Sequence, residues 1–189
     1  MNRNDALAIV AGEADAAAAF VFTGNGYNAR ALCALVDRPR FFYMVGSMGL
    51  CPTLAAGFAR FVSAPVVVVE GDGNALMGLS GYPVSAAAAT GTFVHLVLDN
   101  GQYETTGGQR TLADRVDLVA IARGAGYGRS LGIREPDALR AALREALALP
   151  ASTFVHLRTD TTPGPPHARV PYHPREIAAR FREAAGSAS

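Results

Sequence analysis

Val66-Val67-Val68-Val69-Glu70-Gly71-Asp72-Gly73-Asn74 opens as a β-branched run without polar alternation and closes in glycines around one acid. Such a run suits a strand buried on both faces of a parallel sheet, because alternation marks a strand with one face in water. A second run, Phe93-Val94-His95-Leu96-Val97-Leu98, ends in Asp99-Asn100-Gly101. The alanine-rich segment 84–89 between them supplies the crossover helix that two parallel strands require, after a turn where Gly78, Gly81 and Pro83 break the segment. Asp72 and Asn100 then leave the sheet at the same carboxyl edge, which is where open α/β sheets bind ligands.

Working outward, further strands are expected at 20–22, 41–44, 129–133 and 153–157, with helices at 5–19, 27–36, 50–61, 117–125 and 138–148. Strands alternating with helices in this way predict an α/β fold: a doubly wound, mostly parallel six-stranded sheet with helices on both faces. The 189 residues fit one domain, 1–189, with room for a substantial core. Prolines 163, 165, 166, 171 and 174 predict an extended arm, followed by an amphipathic helix over 175–185, so that 159–189 form a C-terminal arm and helix.

Composition narrows the function classes. Half of the residues are hydrophobic, yet no uninterrupted apolar run reaches the length of a membrane span. The start, Met1-Asn2-Arg3-Asn4-Asp5, is polar, so no secretory leader is expected and the cytoplasm is the default location. Cys33 and Cys51 are too few for a four-cysteine cluster or zinc site and read as small buried hydrophobes. A net charge of +1 gives no reason to expect nucleic acid.

The chemistry of the carboxyl edge follows from its residue types. One carboxylate, Asp72, and one side-chain amide, Asn100, on adjacent loops form a hard oxygen set suited to Mg²⁺, which completes its octahedron with phosphate oxygens and water. Gly71 and Gly73 let the backbone approach a phosphate, and the helix that follows offers it free N–H donors. A glycine-flanked aspartate alone is a common turn, so the joint spacing carries the reading. Gly24-x-Gly26-x-x-Ala29 also matches a dinucleotide fingerprint, but the strand at 41–44 runs into Val45-Gly46 where the ribose-binding acid should stand. The 24–26 segment therefore reads as a second phosphate-approaching turn. His95 and His156, inside apolar strands, read as core residues. The polar loop 102–113, with Tyr103, Glu104, Thr105, Thr106 and Gln109, has the length of a functional loop.

Gly71-Asp72-Gly73, followed after residues 74–99 by Asn100-Gly101, resembles the metal and diphosphate motif of thiamine-diphosphate enzymes, with Asp99 departing from the usual first asparagine of the pair. Together with Gly46-Ser47-Met48-Gly49 and Gly107-Gly108-Gln109, the stretch 23–127 is similar to sulfopyruvate decarboxylase β subunits and the matching part of phosphonopyruvate decarboxylases. The resemblance implies thiamine diphosphate and Mg²⁺ as cofactors. It implies Asp72, Asn100 and the backbone carbonyl of Gln102 as metal ligands, and Gly24, Asn25, Gly71, Gly73, Asn74 and Ala75 around the diphosphate. Gly46 would accept from the aminopyrimidine beside Ser47, Met48 would hold the cofactor bent, and Glu104 would stand near the substrate end, making Met48 and Glu104 the residues closest to the chemistry.

The glutamate that protonates the cofactor ring is implied on an α subunit carrying a pyrimidine-binding domain, in a hetero-oligomer with at least two copies of each chain. The implied substrate is a short 2-oxo acid with a sulfonate or phosphonate on carbon 3, decarboxylated to an aldehyde. Arg30, Arg110 and the amides of Gly107 and Gly108 are candidate anion donors. Two alternatives are a β subunit of a thiamine-diphosphate 2-oxo acid oxidoreductase, which needs iron–sulfur cysteines on a partner, and a non-catalytic phosphate- or nucleotide-binding subunit.

Overall fold

The valine run sits where its pattern puts it, inside a parallel sheet. The computed structural model describes residues 1–88, 91–161 and 167–187. Its strands are β1 (Phe20–Thr23), β2 (Phe41–Tyr43), β3 (Val66–Gly71), β4 (Phe93–Asp99), β5 (Gln102–Tyr103), β6 (Gln109–Arg110), β7 (Arg129–Ile133) and β8 (Ser152–Arg158). Six of them form one sheet in the order β2-β1-β3-β4-β8-β7, and every pairing is parallel. All seven residues of β4 are buried, as are the first five of β3, which explains why neither run alternates. The β3–β4 register ends at Gly71 opposite Leu98, so the next residues, Asp72 and Asp99, emerge side by side.

The helices are α1 (Arg3–Ala16), α2 (Tyr27–Leu35), α3 (Cys51–Ala59), α4 (Asp72–Met77), α5 (Tyr82–Ala88), α6 (Leu118–Gly124), α7 (Pro136–Leu147) and α8 (Pro174–Gly186). On one face Leu7 and Val10 of α1, Leu32 of α2 and Leu139 and Leu143 of α7 pack on Val67, Val69, Val94 and Leu96. On the other, Ala55 of α3, Tyr82 of α5 and Leu118 of α6 pack on Val66, Val68, Phe93 and Val97. Alternate residues of one strand thus feed two cores, as the pleat requires. Helix α8 contacts the β2 edge, where Phe181 stacks edge-on with Phe20, Phe22 and Phe42. A buried aromatic of this size contributes about 1.5–3 kcal/mol through area alone.

His95 is a satisfied core histidine: its Nε2 lies 2.9 Å from Glu70 and its Nδ1 2.8 Å from the Tyr127 hydroxyl, with all three residues buried. His156 does more than pack, since its Nε2 lies 2.8 Å from the Asp99 carboxylate. Cys51 is buried, whereas Cys33 is only partly so.

One expectation holds and another changes in detail. The crossover has the expected turn ahead of its main helix, as α4, a 3₁₀ turn (Leu79–Gly81) and α5, broken where Gly78 lies against Gly49; position 89 lies outside the described residues. The loop 102–113 folds on itself as the β5–β6 ribbon, with Gln102 opposite Arg110. In the C-terminal arm, positions 163, 165 and 166 lie outside the described residues, but Val170 and Tyr172 pack against the first core, so the end of the arm belongs to the fold. Among the described residues, no helix is long and apolar enough to cross a membrane.

Candidate functional site

The sheet order creates a crevice. From β1 the chain turns to β2 on one side, while β3 lies on the other, so the carboxyl ends of β1 and β3 flank the point where the winding reverses. A cleft lies there. Asn25 and Gly26 line it from the β1–α2 turn, Gly71, Asp72, Gly73 and Asn74 from the β3–α4 junction, and Met48 from the β2–α3 segment. Asn100, Gln102, Tyr103 and Glu104 reach it from the turn after β4.

Asp72 is 1% exposed and opens α4. The Thr111 hydroxyl donates to its Oδ2. Burial pushes the Asp72 carboxyl up to about 6; the Thr111 hydrogen bond opposes that rise, and the negative charge of neighbouring Asp99 adds to it. Asp99 moves the other way. Its burial acts upward, but hydrogen bonding from His156 and the nearby Arg158 guanidinium, 3.1 Å away, hold it below the usual carboxylate range. The Gly101 amide also donates to Asp99 at 2.9 Å, closing the turn that presents Asn100. The departure from an asparagine pair therefore comes with a hydrogen-bonding His156 and the Arg158 guanidinium on β8, which keep the extra carboxylate charged.

Asn100 Oδ1 accepts from the Gln102 amide at 3.1 Å, and its Nδ2 donates to Glu104 at 3.3 Å. Glu104 also carries an ion pair with Arg3 at the start of α1. It is therefore an engaged carboxylate. Met48 and Tyr103 meet over Gly73, where an added Cβ would come within 2.7 Å of the Tyr103 ring and 3.3 Å of the Met48 methyl. Only glycine keeps that floor open. Met48 is positioned from behind: Gly49, held at φ +85°, donates its amide to Asn74 Oδ1 at 3.1 Å, and a Cβ on Gly49 would lie 2.8 Å from the Gly78 nitrogen.

Nine of the expected site residues share the cleft: Asn25, Met48, Gly71, Asp72, Gly73, Asn74, Asn100, Gln102 and Glu104. Four do not line it. Gly24 donates its amide to Val69 and lies against Glu70 and Asn74, Ala75 is buried in the second core, and Gly46 and Ser47 are exposed on the approach to Met48. The candidate anion donors are also elsewhere: Arg110 is 81% exposed and paired with Asp114, Arg30 stacks on Tyr27, and Gly107 and Gly108 are exposed. Sequence reading missed Thr111 and Arg3. Both act across long chain separations, and neither carries a local spacing signal.

The donor set fits a diphosphate with Mg²⁺. It offers the Asp72 carboxylate, the Asn100 amide and nearby backbone carbonyls, while Glu104 is held by Arg3, and among the described residues no group of three or more His, Cys, Asp or Glu side chains forms a softer or more acidic metal cage. Asn25 Oδ1 is buried without a partner, an acceptor that a water of the bound group's hydration shell would satisfy. The glycine floor at Gly73 leaves room for a ligand against the start of α4.

Comparison with known proteins agrees with this geometry. The family described as thiamine pyrophosphate enzyme, C-terminal TPP binding domain, matches residues 24–157. The chain belongs to this family. It is 46% identical over 168 residues to a phosphonopyruvate decarboxylase of Streptomyces hygroscopicus, covering 88% of this chain and 41% of that protein. It is 39% identical over 137 residues to a sulfopyruvate decarboxylase subunit beta of Methanothermobacter thermautotrophicus, covering 72% of this chain and 71% of the subunit. The chain thus spans less than half the length of the phosphonopyruvate decarboxylase and most of the β subunit. Benzoylformate decarboxylase from Polynucleobacter necessarius superposes with a TM-score of 0.71 at 19% identity, over 85% of this chain and 33% of that one, and shares the fold.

Proposed function

We propose that this chain is the diphosphate- and Mg²⁺-binding part of a thiamine-diphosphate decarboxylase acting on a short 2-oxo acid with a sulfonate or phosphonate on carbon 3. The observation that carries the reading is the meeting of Asp72 and Asn100 in one glycine-floored cleft at the β1/β3 reversal. The relatives' names supply the reaction class and the substrate's anionic group.

In this reading Asp72, Asn100 and the Gln102 carbonyl hold Mg²⁺, while amides at the starts of α2 and α4 face the phosphates. Thr111, which donates to Asp72 Oδ2, would fix the orientation of the carboxylate that holds the metal. Met48, braced through Gly49 and Asn74, stands against Gly73 as the support for the cofactor's bend. The cofactor, when bound, supplies the electron sink that lets CO₂ leave a 2-oxo acid. This chain's contribution is orientation and electrostatics.

The glutamate that activates the cofactor is proposed on a separate α subunit with a pyrimidine-binding domain, because the match covers most of a β subunit. The two chains are proposed to assemble with at least two copies of each. Glu104, held by Arg3 and Asn100, is not assigned that proton transfer.

The test is reconstitution. The purified chain, mixed with its α subunit, Mg²⁺ and thiamine diphosphate, is expected to release CO₂ and an aldehyde from sulfopyruvate or phosphonopyruvate, with no turnover before mixing. Turnover that requires an electron acceptor would support the oxidoreductase instead, and robust decarboxylation by this chain alone would overturn the split-site reading.

A further inference from the structure

The cleft contains a cation that no motif announces. Arg3, the first residue of α1, is anchored by a helix that packs on α2 and α7, and Asn2 caps its start by accepting from the Asp5 amide at 2.9 Å. Among the described residues, Arg3 is the one arginine lining the cleft. Its side chain is 13% exposed, and its guanidinium lies 5.2 Å from the centre of the Tyr27 ring at the start of α2. Its Nε is buried without a partner. The remaining partner inside the cleft is Glu104, itself bridged to Asn100.

Charge balance explains why a cation belongs there. A diphosphate carries more negative charge than one Mg²⁺ cancels, and Asp72 adds to the excess. The helix starts supply only partial positive charge. At the start of α2 no side chain caps the free amides, and the residue before them is Gly26, at φ +98° with Thr105 beside it. A guanidinium beside that turn, with an Nε–H unused and its Nη1 on a displaceable carboxylate, suits a tetrahedral oxyanion, which it can grip through two parallel hydrogen bonds.

We propose that Arg3 binds the phosphate of the cofactor's diphosphate that lies nearest the β1–α2 turn, and that Glu104 occupies its guanidinium until that phosphate displaces it. This assignment rests on the reading of the cleft as a diphosphate site. Glu104 is then a placeholder on the phosphate side, and its release also frees the Asn100 amide group that it holds. No covalent step is involved.

The experiment is calorimetric titration of the full chain with inorganic pyrophosphate and Mg²⁺, and separately with thiamine. Arg3→Gln is expected to weaken pyrophosphate binding about tenfold or more, the loss typical of a charge-assisted pair, while thiamine binding stays unchanged. Arg3→Lys, which keeps the charge and loses the fork, should fall between. Glu104→Gln is expected to strengthen pyrophosphate binding, because it removes both the competitor and a negative charge. The opposite signs are decisive, since a merely structural ion pair would make both variants weaken binding alike. Should Arg3→Gln fold poorly by its melting curve, Glu104→Gln alone still decides: weaker binding overturns the proposal. Unchanged pyrophosphate affinity in Arg3→Gln, alone or with a raised KM for the 2-oxo acid, also overturns it. Absence of Mg²⁺–pyrophosphate binding by the unsubstituted chain would overturn the diphosphate reading itself.

Discussion

Asp72→Asn should make the ligand-free chain more stable while removing its response to cofactor. Asp72 is buried beside Asp99, and its carboxyl rises from an ordinary 3.8 to about 6. A rise of that size costs the folded state about 3 kcal/mol at neutral pH, at about 1.4 kcal/mol per pKa unit. The sign follows from proton binding. Between the two values the folded chain holds more protons than the unfolded one, so stability is greatest below the unfolded value and falls as pH rises through the folded one. Asparagine cannot ionise but still buries an amide, so a net gain of about 1–3 kcal/mol is expected at pH 7. The assay is urea unfolding in EDTA at several pH values. The gap between the variants should open between about pH 4 and pH 6 and stay constant above. With Mg²⁺ and thiamine diphosphate added, the unsubstituted chain should gain stability by ligand linkage and the variant should not. A variant less stable in EDTA at pH 7, or a gap independent of pH, would refute the argument.

Asp99→Asn should destabilise the chain at pH 7 by about 1–3 kcal/mol, because His156 and Arg158 lose a charged acceptor. Since Asp99 is held below the usual range, that difference should shrink as pH falls through its folded value; a pH-independent loss would contradict the pairing. Gly49→Ala should cost at least about 1–3 kcal/mol, from its positive φ and a Cβ set against the Gly78 backbone, with melting temperature as the readout. His95→Phe leaves the buried Glu70 side chain without its hydrogen-bond partner, and a loss of about 1–3 kcal/mol in chemical unfolding is expected. Met48→Ala, measured in the reconstituted enzyme, should lower kcat more than cofactor affinity; a loss seen only in melting would make Met48 a packing residue.

Most of the fold was legible because it depends on short-range patterns. Unalternating Val66–Val69 and 93–98 have the pattern of strands covered on both faces, and glycine at their ends, with helices between, placed Asp72 and Asn100 on one edge. Six strands were foreseen and six form the sheet. The motif residues followed, since their spacing encodes two adjacent loops. The exceptions were residues whose roles come from distant chain segments. Thr111 reaches Asp72 only because loop 102–113 folds back as a ribbon, and nothing in its polar composition distinguishes that from an open loop. Arg3 enters the cleft because α1 packs beside α2, a contact set by core shape. His156, read as packing, became a partner of Asp99 once β8 lay next to β4 with Val97 opposite His156 and Asp99 opposite Arg158. Sequence determined which residues lie on which strand and at which end, because pleat and period are local. Tertiary structure decided which charges meet and at what burial, and so how strongly Asp72 resists ionising, because a carboxylate's energy depends on water excluded and neighbours brought near by the whole fold.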